Sequence, residues 1–542
     1  MRSYPKKIAV SLLSVFFFFT LLLAPAQAAI LDDARAIIEA TYVDPVDERV
    51  LQAESVEKLL EKLNDPHSVF FTPEEYQAFV DSIGDSTFSG IGVQIESVAE
   101  GILVTGVLSG SSAEAANIKA GDIILSVDGK SLQGLTTEQA VPLIRGPESS
   151  SIKMALKRGN SSFSLSILRQ TVVVPSVQTE FLAGNIGYID IDSFGLETIS
   201  EFRQGVDELR LKGAESFIID LRNNTGGYLV SALDIAGYFI GSDPALKTQF
   251  RNKADIMYAS EQRRAMNEPT IFLVNEFSAS ASEILAAAVQ DHDKALVIGQ
   301  TTYGKGSMQR VFRLGSGEGF LKLTTARFFS PDGNSIEGEG VSPDLTITEN
   351  DPIKTAQLLL SGSGTSHNIT FRIGRLNYSV DTRIAATPDY WSAYQELINQ
   401  LPDYTLYRLS EESEWQVTDP QQLQESYLFY FPAYQKLNHL ESIPEDKEFC
   451  ISFSQALENE SFNKDTLQLI EASSGERIAL DFLFLGSRQV VVTPKSKLEE
   501  GKSYWLLIHP EVELSGQGKL GIGRVTTIKV GTKESLETIK VL

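Results

Sequence analysis

The sequence predicts a multidomain protein of mixed α/β and β class: a helical N-terminal segment, a small β-domain, an α/β layered core and a C-terminal β-sandwich. Three observations predict it. The chain has 542 residues, 42% apolar and 22% charged, which is ordinary globular composition and, at roughly 150 residues per domain, several domains. From Val172 to about Asp344, β-rich runs alternate with helical ones, as in a layered core with parallel strand pairing. On either side, from about Phe88 to Ile167 and from Lys447 to Val530, apolar residues recur with a period near two between turn residues.

Element by element, Val56, Leu59, Leu60 and Leu63 fall on one helical face, and Thr72-Pro73-Glu74-Glu75 supplies a cap, an N-terminal proline and a capping carboxylate. Ile91–Ile95, Ile102–Leu108, Ile123–Val127, Ile152–Leu156 and Phe163–Ile167 read as short strands, Asp128-Gly129 as a tight turn, and Thr136–Arg145 as a helix. In the core, Gly187–Ile191, Ser216–Asp220, Thr270–Val274 and Ala295–Gly299 read as strands, with helices such as Thr198–Leu211 and Ser280–Gln290 between them. Ser361–Ser366 has linker composition, followed by a hairpin over Thr370–Asp381 and a helix over Tyr390–Leu401.

Composition also excludes. A net charge of −24 repels nucleic acid, so no nucleic-acid partner is expected. Cys450 is the one cysteine and the five histidines are scattered, so neither a disulfide framework nor a metal site is expected. Residues 1–28 run from Arg2, Lys6 and Lys7 through an apolar stretch to Ala26-Gln27-Ala28, the order of a secretory signal; an uncleaved anchor is the competing reading. Cleavage after Ala28 would remove three basic and no acidic residues, taking −24 to −27, and would place the chain outside the cytoplasm, secreted or at the cell surface.

The chemistry concentrates where Thr270–Val274 runs into Ser278-Ala-Ser280-Ala-Ser282-Glu283. One reading is a capping box, Ser280 and Glu283 satisfying each other's amides. The other is a nucleophile at a helix start, with Lys305 after the next strand brought to the same sheet edge. Gly299–Gly306 nearly matches a phosphate-binding GxxxxGK loop, but Gly306 replaces the hydroxyl residue that would hold magnesium, and Met308–Leu314 reads as strand where a helix is required. His292, flanked by Asp291 and Asp293, falls past the far end of the Ser280 helix and reads as a solvated loop residue.

SASASE and YGKGSMQ, with Asp220-Leu-Arg-Asn-Asn-Thr-Gly226-Gly227 upstream, resemble the carboxy-terminal processing (tail-specific) serine proteases over about Ile30 to Asp351. The resemblance implies a ClpP/crotonase-like core, with Ser280 as nucleophile, Lys305, 25 positions later, as its base, Gln309 as the residue that orients the lysine, and Ser278 and Ser282 as structural serines. Chemistry agrees: a serine hydroxyl needs a base, and a lysine serves as one only when uncharged, so an apolar, carboxylate-free pocket is expected around Lys305. Oxyanion donors are expected at Ala281, a backbone amide at a helix start, and at Gly226, the family's second donor. Thr225 stands where that family's motif has proline.

Ser89-Gly90-Ile91-Gly92-Val93 resembles the PDZ loop that receives a terminal carboxylate, so protein substrates with apolar C-termini are the expected partners. Pro142 falls inside the helix that would border the groove. Residues 437–531 resemble bacterial surface-protein Ig-like modules, which implies either a spacer or attachment to cell wall or surface proteins; a homodimer is among the expected assemblies. The organisation is thus a signal (1–28), a helical segment (29–85), PDZ (86–169), protease core (170–355), a small α+β domain (364–430) and the sandwich (437–531). The expected function is a secreted, cofactor-free Ser–Lys endopeptidase. The alternative is a non-catalytic peptide-tail scaffold at the cell surface.

Overall fold

The central sheet of the core runs in the order Val177–Leu182, Ile186–Ile191, Ser216–Asp220, Thr270–Val274, Leu296–Gly299, Leu345–Thr346. Its first pair is antiparallel and the rest are parallel. The computed structural model describes residues 29–542 except 85–86, 109, 174, 316, 363–366, 410–412, 419–425, 517, 532–538 and 542; the address read in residues 1–28 lies outside the described residues. Side chains alternate between the sheet's faces. Phe217, Ile219, Phe272, Val274 and Val297 enter one core with the helices Thr198–Leu211, Leu229–Ile240 and Ala281–Asp291. Ile218, Ile271, Leu273, Leu296 and Ile298 enter a second core with Pro352–Leu360 and Pro388–Gln400. The helix Leu229–Ile240 has no polar stripe, because nine of its residues are buried, and so it shows no amphipathic period in the sequence.

A second sheet is built on the long strand Gly319–Phe329, which pairs with Val69–Phe71, Pro244–Gln249 and Ser307–Leu314. Ser307–Leu314 is a strand, so the loop before it does not open a phosphate-cradling helix. Leu314, Leu321 and Leu323 of this sheet pack on Ala34, Ile38 and Leu59 of the N-terminal helices. The cap at Thr72 closes in both directions: its N–H donates to Glu75 Oε2 at 2.9 Å, and the Glu75 N–H donates to Thr72 Oγ1 at 3.2 Å.

The small β-domain is a sheet in the order Val93–Val98, Gly101–Val107, Ile123–Val127, Ser151–Arg158, Ser161–Leu168, with Lys130–Ser131 paired to Ile123–Val127. Asp128 and Gly129 both have positive φ, 47° and 80°, the geometry of a type I′ hairpin turn. Thr137–Ile144 is helical with Pro142 inside it, and Arg169 donates to the carbonyls of Leu143 and Ile144 at the helix end.

Beyond the core, the hairpin Asn368–Ile373 and Leu376–Asp381 leads through Pro388–Gln400 to two facing sheets. Phe449, Ile451, Leu467, Val490, Leu506 and Ile528, drawn from both sheets, fill the space between them. The stretch Ser361–Ser366 does not separate independent bodies: the Gly362 N–H donates to the Ser379 carbonyl at 2.7 Å, and the elements on both sides share one core. In that core Trp391 stacks on Tyr430 with ring centroids 4.1 Å apart and lies 5.7 Å from Trp505. Gly475, at φ +73°, lies so close that a Cβ there would come 2.4 Å from the Trp391 indole. Trp391→Ala is therefore expected to cost about 3–5 kcal/mol. In urea melts, indole fluorescence and far-UV circular dichroism should shift to the same lower midpoint; a shift in fluorescence alone would contradict the shared core.

Candidate active site

Thr270–Val274 ends in Asn275, and the chain turns sharply to place Ser280 at the start of the helix Ala281–Asp291. Ser280 has φ 59° and ψ −111°, outside the ordinary region for a residue with a Cβ, which costs of order 1–3 kcal/mol and persists only where the surroundings over-determine it. They do. The buried hydroxyls of Ser278 and Ser282 donate to the carbonyls of Leu221 and Asn224, both at 2.8 Å, and the Ala279 N–H donates to the Asn224 carbonyl at 3.0 Å. Gly226 must be glycine: at φ +104°, a Cβ would meet Ser280 Cβ and the Ala279 carbonyl at 2.8 Å.

Glu283 is fully buried and accepts four bonds. Ser280 N–H donates at 2.7 Å, Thr302 Oγ1 at 2.6 Å, Gly304 N–H at 2.7 Å and Lys305 N–H at 2.9 Å. The first of these is the capping arm legible in SASE; the other three bind the loop that carries Lys305 to the Ser280 turn. Hydrogen bonds and the positive end of the helix dipole together compensate the buried charge. Val341 N–H to Thr302 Oγ1 at 2.7 Å and Gly306 N–H to Glu337 at 2.8 Å fasten the same loop from its other side.

Ser280, Ala281, Lys305, Gln309 and Gly226 all line one cavity of about 760 Å³. Its apolar wall includes Phe79, Leu229, Ile284, Met308, Val311 and Phe328. Two expectations are corrected here. The cavity is not free of carboxylate, since Asp192 lines it, and a second amine, that of Lys322, lines it as well. Gly226 does not present a free amide: its N–H donates to Asn224 Oδ1 at 2.8 Å in an Asx turn, which a short amide side chain two residues upstream readily makes. The Ala281 N–H has no acceptor among the described residues. Among the described residues no hydrogen bond joins Ser280 to the Lys305 amine or Lys305 to Gln309; Gln309 Nε2 donates to Ser307 Oγ at 3.1 Å and Thr324 Oγ1 at 3.4 Å. His292 caps the far end of the helix and, half-buried, its Nε2 bonds to the Pro244 carbonyl at 2.8 Å, so it is not a solvated loop residue.

In the β-domain, Ser89 and Gly90 belong to the strand Thr87–Gly90, paired with Gln170–Val173, and Val93 opens the strand Val93–Val98. Between them the carbonyls of Ile91 and Gly92 accept from Ala113 at 2.9 Å and Leu108 at 3.0 Å, and their own N–H groups have no acceptor among the described residues. No group of three metal-ligating side chains is present among the described residues.

Beside the cavity, at the carboxyl ends of the first parallel strands, burial and the charges of Asp192 and Asp220 push the Asp190 carboxyl up to about 6. The folded state therefore holds that proton more tightly than the unfolded chain, and ionisation opposes folding above pH 6. Asp190→Asn should raise Tm at pH 8, with the gain shrinking between pH 6 and 3.8 and vanishing below; an equal gain at every pH would contradict this. Glu283→Gln, which keeps shape but sets an amide among four donors, should lower kcat of a reaction at Ser280 roughly ten- to a hundredfold with KM little changed; steady-state kinetics checks it.

Residues 185–347 match the model of peptidase family S41, and residues 82–157 match that of the PDZ domain. The chain is 35% identical over 317 residues to the carboxy-terminal processing protease CtpA of Bacillus subtilis (strain 168), covering 58% of this chain and 68% of that one. It is 33% identical over 337 residues to CtpB of the same organism, covering 61% and 70%. Among solved structures, the photosystem II D1 C-terminal processing protease aligns with 62% of this chain and 97% of its own, at 24% identity and a TM-score of 0.40. With two curated relatives matched over more than two thirds of their length, and with the S41 model matching residues 185–347, this protein belongs to peptidase family S41, among its carboxy-terminal processing serine proteases.

Proposed function

We propose that this chain is a Ser–Lys endopeptidase that acts outside the cytoplasm and selects protein substrates by their C-terminal tails. The observation that carries the reading is the buried carboxylate of Glu283, which holds the strained Ser280 turn and the Lys305 loop to one cavity. Ser280 Oγ attacks the scissile carbonyl carbon while the uncharged Lys305 amine takes its proton. The negative oxygen that forms is met by the Ala281 N–H at the helix start, and by the Gly226 N–H once that group turns from Asn224. The tetrahedral intermediate collapses as Lys305 returns the proton to the departing amine. Water, deprotonated by the same lysine, then cleaves the acyl-enzyme. Gln309 orients Lys305 without adding charge.

Tail selection is assigned to Ser89, Gly90, Ile91, Gly92 and Val93. The unpaired amides of Ile91 and Gly92 suit a terminal carboxylate, and the edge of Val93–Val98 beside Thr137–Ile144 suits an added peptide strand. The extracytoplasmic location rests on the order of residues 1–28. The open Ser280–Lys305 pair and the occupied Gly226 amide favour a second reading, an inactive tail-binding scaffold, although catalytic bonds commonly tighten only with substrate bound.

An unfolded protein substrate separates the two. Ser280→Ala and Lys305→Met should each lower hydrolysis by at least about a thousandfold. The Ser280→Ala chain should still bind a peptide with an apolar free C-terminus and lose that binding when the peptide is amidated. Equal degradation by wild type and Ser280→Ala, or no degradation by either, would refute the peptidase reading.

A further inference from the structure

Lys322 lies on the long strand Gly319–Phe329, opposite Val311 of Ser307–Leu314. Two positions further on the same strand, Thr324 pairs with Gln309 and accepts from its Nε2. Residues two apart share a face of a strand and stand about 7 Å apart, so Lys322 occupies the next place along the row that holds Gln309. Leu321 and Leu323, on the opposite face, are buried against the N-terminal helices. The helix Pro73–Gly84 closes this end of the cavity: Tyr76 stacks on Phe320 with centroids 3.9 Å apart, and Phe79 lies under the Lys322 amine, 5.0 Å from Nζ to its centroid.

Lys322 is half-buried and, among the described residues, has no carboxylate in ion-pair range. Asp65 acts on it only at a distance, because its oxygens are engaged by the His67 N–H at 3.0 Å and the Ser68 hydroxyl at 2.5 Å. The loss of solvent holds the Lys322 ammonium below the usual lysine range. A desolvated cation without a counter-ion is costly, and it gains most from a ligand that brings the missing anion. The chain as a whole carries −24, so a general attraction for anions is not what places a lysine here.

We propose that Lys322 is a specificity-determining residue that pairs with a carboxylate of the bound peptide, so that this cavity takes substrates carrying a negative charge near the scissile bond. The inference rests on the assignment of the cavity to Ser280-dependent peptide hydrolysis. Two sources share the chemistry: the α-carboxylate of a tail that ends close to the cleaved bond, and an aspartate or glutamate side chain.

The test compares wild type with Lys322→Met, close in length but uncharged, and with Lys322→Arg. Each is given one peptide as free acid and as amide, and one amidated peptide with Glu or Gln at each position flanking the cleaved bond. Wild type should prefer one carboxylate-bearing member over its neutral twin by at least about tenfold in kcat/KM, mostly through KM. Lys322→Met should bring the ratio of the two kcat/KM values to about one, whatever its absolute rates, and Lys322→Arg should restore part of the preference. Loss of the acid-over-amide preference identifies a terminal carboxylate, and loss of the Glu-over-Gln preference identifies a side chain. Any contribution of the β-domain to tail reading is common to all three enzymes and cancels in the ratios. Unchanged ratios in Lys322→Met overturn the proposal. Cleavage of the carboxylate-bearing peptide that survives Ser280→Ala overturns the cavity assignment beneath it. If Lys322→Met fails to fold, Lys322→Gln serves in its place.

Discussion

One buried carboxylate organises the site. Glu283 gathers donors from two separate segments, the turn at Ser280 and the loop Thr302–Lys305, which leave neighbouring parallel strands of the central sheet. Without it the Ser280 backbone would have every reason to relax from φ 59°, and three donors of the lysine loop would be left unsatisfied in the interior. The sheet supplies proximity, and the carboxylate converts proximity into position. Ser278 and Ser282 complete the arrangement by stitching the same turn to the loop Leu221–Gly226, whose glycine lies against Ser280.

The remainder of the chain encloses that arrangement. The N-terminal helices back the second sheet and send Phe79 into the cavity, so residues far from the protease motifs shape what it can hold. On the other face of the central sheet, Trp391, Tyr430 and Trp505 join the C-terminal β-region to the core through one aromatic cluster. Ile218, Ile271 and Ile298 of that sheet face, the helices Pro352–Leu360 and Pro388–Gln400 and this aromatic cluster are buried in one continuous core.

Much of this was legible in the sequence because local signals were strong. Strands Ile123–Val127, Ser216–Asp220 and Thr270–Val274 and the helix Thr198–Leu211 follow from periodicity, and the cap at Thr72 from its residue types. Ser280, Lys305 and Gln309 were singled out from linked motifs, and the structure gathers them in one cavity. What was not legible depends on contacts between distant segments. Glu283 reads as a simple helix cap, since its three bonds to residues 302–305 exist only once two strands are paired. The Gly226 N–H reads as free, because the Asn224 side chain that takes it makes a turn indistinguishable in sequence from one that does not. Lys322 sits in a strand of ordinary composition, and only register places it in the row that holds Gln309. Ser361–Ser366 reads as a tether because composition reports on a segment, while the burial of its neighbours reports on the fold.

The central claim is that Ser280 and Lys305 act on the same atom. A structure of the chain after reaction with a peptidyl phosphonate or boronate tests it most directly. The account predicts the inhibitor bonded to Ser280 Oγ, with Lys305 Nζ within hydrogen-bond distance, about 3 Å, of that oxygen. An adduct on Ser280 from which Lys305 stays remote, or a reagent attached elsewhere, would contradict it.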